Sequence, residues 1–143
     1  MAITVTVSNH FKYQLAKKLV DLSADTLKVI LMNATFAFDK DAHATLADVT
    51  ADQIATNYGY TQDSKTLATV VLTEDDANDK AVMTCDDPTW TAAGGDIGPT
   101  GAMIIYDDTT ADDTVVACAD FGTDYTISDG SSLQPQDVAV SLT

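Results

Sequence analysis

The sequence predicts a mainly β protein: an antiparallel β-sandwich with one N-terminal amphipathic helix and a short helix in a loop. Three observations lead there. From residue 66 onward, short apolar runs (TLATVVL, AVMTC, GAMIIYD, DTVVACADF, DVAVSL) are separated by acidic, turn-forming segments such as EDDANDK, DDPTW, DDTTADD and SDGSS. Strands recurring at such short spacing pair with their neighbours and stack as two sheets. The acids are Asp apart from the single Glu74, and Asp competes for local backbone bonds in a way that favours turns over helix interiors. A helical apolar period longer than a few residues occurs only near the start of the chain.

At 143 residues, the chain is expected to form a single domain over 1–143, with a strand and helix at 1–24 and a β-rich body at 25–143. A chain of this size buries about two thirds of its unfolded surface without staples. Within it, ITVTV alternates and reads as a short strand. Ser8 stands where a helix N-cap is expected, and Phe11, Leu15, Leu19 and Leu22 recur at helical spacing, which predicts an apolar stripe reaching residue 22. The near-continuous apolar run TLKVILM at 26–32 predicts a central strand. In DVTADQIATNYGYT, Thr50 and Gln53 have capping-box spacing and Val49 and Ile54 staple spacing, with Asn57 and Gly59 closing the turn.

The glycine-rich stretch GGDIGPTGAMIIYD at 94–107 does not match a phosphate cradle. It lacks the GxxxxGK[ST] spacing and a lysine, and Pro99 is expected to hold Gly98 extended. It reads instead as a bend feeding the strand GAMIIYD, with Trp90 filling one end of the core.

Charge narrows the function. The chain carries −15, and all seven basic residues are lysines. Nucleic acid and anionic membranes would be repelled, and no arginine fork is present for phosphate or guanine. Residues 1–31 hold Lys12, Lys17, Lys18 and Lys28 against Asp21 and Asp25, a net +2, so the remainder carries −17. That asymmetry marks Phe11, Lys12, Lys17 and Lys18 as the expected partner-binding residues, with an acidic partner. No signal-peptide pattern or bilayer-length apolar run is evident, so synthesis in a cytosol is expected.

No catalytic, metal or cofactor residues are expected. His10 and His43 accompany no nucleophile or zinc motif. Asp75, Asp76, Asn78 and Asp79, like Asp107, Asp108, Asp112 and Asp113, lack calcium-loop spacing and read as solvated turns. Cys85 and Cys118 lie in apparent strands without a CxxC pair and are expected as buried, reduced thiols.

The order LKVILMNATFAFDKDAH, DVTADQIATNYGYT, AVMTCDDPTW, GAMIIYDDT and CADFG resembles a family of small virion proteins encoded beside the head genes of tailed bacteriophages, over residues 26–122. The resemblance implies a β-rich structural protein without catalytic residues. It further implies a head decoration or cement protein, made in the host cytoplasm, that binds the major capsid protein and contacts neighbouring copies of itself; the −17 body, which packaged DNA would repel, is expected on the outer capsid surface. A tail or neck component is the alternative within the virion. Outside it, the alternative is a calcium-dependent carbohydrate-binding module.

Overall fold

A computed structural model describes all residues, 1–143. In chain order the elements are β1 (Thr4–Val7), α1 (Asn9–Ala16), β2 (Leu27–Asn33), α2 (Leu46–Val49) followed by a single 3-10 turn at Thr50–Asp52, β3 (Lys65–Thr66), β4 (Val71–Asp75), β5 (Lys80–Thr84), β6 (Trp90–Thr91), β7 (Ile97–Asp107), β8 (Val115–Ile127), β9 (Ser132–Leu133) and β10 (Ala139–Leu142). The chain is mainly β, as its turn-rich acidic pattern requires.

Three antiparallel sheets form, ordered β1-β8-β7-β2-β3, β10-β5-β4 and β6-β9. The three-stranded sheet covers one face of the five-stranded one in a sandwich-like arrangement. Val29, Leu31, Met103, Ile105, Ala117 and Phe121 from the large sheet meet Met83 and Val140 from the small one in a single buried cluster. Trp90 joins this cluster, 3% exposed. The opposite face of the large sheet is also covered. Ile30, Met32, Ile104, Tyr106, Val115 and Cys118 pack there against Val49, with Phe36, Phe38 and Leu46 at the margin.

This double coverage explains the run LKVILM. Successive residues of β2 point to opposite faces, and both faces are dry, so no polar alternation survives. Each such side chain contributes about 1.5–3 kcal/mol on burial, so β2, β7 and β8 hold most of the apolar stabilisation.

The expected N-terminal helix is shorter than the stripe implied. It ends at Ala16, with Lys17 as C-cap and Lys18 in the left-handed region at φ 61°. The Lys18 amide donates to the Leu15 carbonyl and the Leu19 amide to the Gln14 carbonyl, a Schellman closure with lysine where glycine usually stands. Leu19 therefore leaves the stripe and is 52% exposed, whereas Leu22 returns to the core from a non-helical turn. Ser8 occupies the N-cap position but makes no side-chain bond to the helix; its hydroxyl donates to the His43 carbonyl at 3.5 Å.

The loop helix starts one turn before the expected box at Thr50 and Gln53. The Asp48 carboxylate accepts from the Ala44 amide (3.0 Å), the Thr45 amide (2.9 Å) and the Thr45 hydroxyl (3.2 Å). Thr50 instead donates back to the Leu46 carbonyl, and Gln53 donates to the Tyr60 hydroxyl. Removing the Asp48 acceptor should cost about 1 kcal/mol, as for other N-terminal helix caps. Denaturant melts of Asp48→Ala and Thr50→Ala check this: the first is expected to lower the midpoint, the second to leave it nearly unchanged.

The glycine-rich stretch becomes strand earlier than expected, at Ile97 rather than at Gly101. Gly98 is not extended in the ordinary sense: its φ is 109°, and a Cβ there would lie 2.8 Å from the Tyr125 carbonyl oxygen. Its lack of a side chain lets β7 pass close to β8 where their register shifts.

Candidate functional site

Of the four lysines in the basic N-terminal segment, Lys28 lies in β2 and pairs with Asp108 at 3.3 Å, whereas Lys12, Lys17 and Lys18 stand on or just after α1. Helix α1 is anchored at its start by the Ser8 amide on the Val116 carbonyl and the Asn9 amide on the Lys40 carbonyl, both at 3.0 Å. On its flank, the His10 ring meets the Asp112 carboxylate at 2.8 Å and the Gln14 amide donates to the same oxygen at 3.1 Å. Burial opposes the Asp112 charge, but the Thr114 hydroxyl and His10 more than offset it, and the carboxyl titrates below its ordinary range. These bonds pin the helix to the β7–β8 turn.

Lys12, Lys17 and Lys18 are exposed, as expected for a partner surface. Phe11 is not: it is 0% exposed and belongs to the main core. The helical period that drew attention to Phe11 is the period of its buried face, so Phe11 holds the surface from beneath. Tyr13 takes the outer position instead, 57% exposed, with the Lys17 ammonium 4.9 Å from its ring centre.

Lys18 and Asp21 flank an open groove of about 400 Å³ that is otherwise lined by Leu15, Val20, Leu22, Leu72 and Leu142. Leu72 and Leu142 come from the small sheet, far along the chain, and sequence spacing carried no sign of them. Leu72 is 43% and Val71 47% exposed. The face thus combines lysine heads, one aromatic ring and an apolar trough.

Other polar groups have structural partners. His43 accepts the Asp39 amide through Nδ1 at 3.0 Å and stacks on Phe36, 5.3 Å between ring centres. Asp75 accepts both of its bonds from Asn78, at 3.1 and 2.9 Å, closing the β4–β5 turn. No three His, Cys, Asp or Glu side chains converge as a metal set would. Asp107 differs from the other turn acids: it is fully buried, accepts the Thr109 amide at 2.9 Å through one oxygen, and has no hydrogen-bond donor for the other. Burial and the facing Asp25 carboxyl push it up to about 7.

A second concave area of about 470 Å³ lies at the other end of the fold, between Asn33, Asn57, Tyr58, Asp96 and Pro99. The Tyr58 ring, on a residue 47% exposed, lies against Gly95, where a Cβ would come within 2.5 Å of it.

The cysteines differ in their surroundings. Cys118 lies within β8, buried, and its thiol is pushed up to about 12, chiefly by burial and then by Asp120. Cys85 falls just after β5 rather than within a strand and is half-buried; burial, with Asp87 and Asp86, raises its thiol as well. Both are free thiols. Under native conditions, alkylation followed by mass spectrometry is expected to modify Cys85 slowly and Cys118 only after denaturation. Equal native rates would contradict this placement.

No family model, curated protein or solved structure matches this chain. The fold and this face therefore define it as a β-sandwich-like protein with an asymmetric basic and apolar surface.

Proposed function

We propose that the chain is a non-enzymatic structural protein of a tailed-bacteriophage virion, a decoration or cement protein that binds the outer surface of the major-capsid lattice. The observation that carries this reading is the exposure of Lys12, Lys17, Lys18 and Tyr13 on and just after α1, with Lys18 at the rim of an apolar groove, on a protein whose net charge is −15. Such a body is repelled by packaged DNA, which favours the outside of the shell. The lysine face suits an acidic capsid surface, where charge steers the encounter and apolar burial holds it. The ordered segments between residues 26 and 122 that resemble small head-associated proteins support the same reading.

Changing Lys12, Lys17 and Lys18 together to Glu tests it. Each exposed pair contributes at most about 1 kcal/mol and is screened by salt, but many copies multiply the loss through avidity. Occupancy of undecorated capsids is expected to fall about tenfold or more at low salt, with the difference shrinking as salt rises. Unchanged occupancy by a variant of normal melting temperature would place attachment on another surface.

Carbohydrate binding is the second reading, favoured by the Tyr58 ring beside Asn33, Asn57 and Asp96, since exposed rings flanked by polar side chains stack on sugars. Sugar binding abolished by Tyr58→Ala would favour it.

A further inference from the structure

The carboxylate most in need of a partner lies at the end of β7. Asp107 is 0% exposed, and its Oδ2 has no hydrogen-bond donor. The ion pairs of the fold join Lys28 to Asp108, Lys80 to Asp75 and His10 to Asp112, and none includes Asp107. What faces it is a second carboxyl, that of Asp25. The two segments are fastened together there. Leu27 pairs with Asp107 across β2 and β7, the Asp108 amide donates to the Thr26 carbonyl at 2.9 Å, and the Thr26 amide donates to the Thr109 hydroxyl at 2.8 Å. One oxygen of each carboxylate is held by a backbone amide: Asp25 Oδ2 accepts from Asp21 at 2.8 Å, and Asp107 Oδ1 from Thr109 at 2.9 Å. The other oxygen of each remains free to bind something between them.

A buried carboxylate facing another cannot stay ionised without compensation. A proton neutralises one of the two charges, and a lysine would do no more. A divalent cation balances both. Neither histidine nor cysteine joins the pair, and an all-oxygen set selects a hard cation over zinc or copper. We infer that Asp25 and Asp107 form the core of a divalent-cation site, with calcium or magnesium held between Asp107 Oδ2 and Asp25 Oδ1. No third carboxylate converges with them, so water fills the remaining positions from the side of Asp25, which is only half-buried. One or two carboxylates with several waters is a common arrangement for magnesium, and few charged ligands place calcium at the weak end of its range, about 0.1–1 mM.

Such an ion would tie the β7–β8 turn to the segment that follows α1. Asp25 holds the Asp21 amide, and Val20, Asp21 and Leu22 line the groove beside that helix. Lys12, Lys17 and Tyr13 take no part in the site, whatever they bind.

Thermal melts and titration calorimetry of the chelator-treated protein test it, at constant ionic strength and at pH 8, where a proton competes least. Calcium or magnesium chloride is expected to raise the melting midpoint in a saturable way, with one ion bound per chain. Asp107→Asn and Asp25→Asn should each weaken binding about tenfold or more. Asn at 107 also relieves the facing carboxyls, so that variant stays folded and its lost response can be read directly. Asp76→Asn, in the exposed β4–β5 turn, should keep the parent's response. No saturable response to either ion up to about 10 mM, well above the weak range, would overturn the site. So would a response that Asp107→Asn and Asp25→Asn leave intact, or one that Asp76→Asn removes.

Discussion

Raising the pH from about 4 to above 7 is expected to destabilise the fold, and Asp107→Asn to remove most of that loss. The cause is the buried Asp107 carboxyl facing Asp25, which is pushed up to about 7 by burial first and by Asp25 second. In the unfolded chain it returns to the ordinary value of 3.8. The folded form therefore keeps a proton that the unfolded form releases. This contribution is greatest below the unfolded value, declines between about 4 and about 7, and levels off above that. Asn at 107 cannot ionise, and its amide supplies a donor to Asp25. Urea melts at several pH values, in the presence of a chelator, are expected to give a falling curve for the parent and a flatter, higher one for Asp107→Asn at pH 8. A parent curve that is flat from pH 4 to 8, or a variant less stable than the parent at pH 8, would show that Asp107 does not hold a proton in the fold.

Phe11→Ala is expected to destabilise the protein by about 3–5 kcal/mol, the range for deleting a buried ring and leaving a cavity. Phe11 is 0% exposed and meets the cluster that joins both larger sheets. Its loss would loosen α1 and with it the lysine face. Tyr13→Ala, one helical position from the burial line, removes an exposed ring and should change stability by less than about 0.5 kcal/mol. Paired thermal melts separate these cases. Similar small effects for both would mean that the helix packs less tightly than its burial indicates.

The parts of the fold legible in the sequence were those set by local pattern or by dense apolar runs. LKVILM, GAMIIYD and VVACADF stood out because β2, β7 and β8 are buried on both faces. ITVTV alternated because β1 lies at an edge, with Val5 and Val7 turned towards the core and Thr4 and Thr6 towards solvent. The end of α1 was obscured because Lys18, not glycine, takes the left-handed position that closes the helix. The loop helix was displaced by a turn because the acceptor at its start is Asp48, bonded through its carboxylate, whereas Thr50 spends its hydroxyl on Leu46. The lysines of the candidate site were visible as charge. Their apolar neighbours were not, since Leu72 and Leu142 reach Lys18 only through the stacking of the small sheet. The pairing of His10 with Asp112 and the approach of Asp25 to Asp107 likewise join distant segments and leave no trace in local spacing.

The composition of purified virus particles tests the proposed role most directly. Quantitative mass spectrometry of intact heads, combined with brief surface proteolysis, is expected to find the chain in many copies per head and accessible from outside, with its loss lowering the temperature at which heads rupture. Absence from purified heads, or presence only inside the shell and protected with the DNA, would contradict an outer-surface decoration protein.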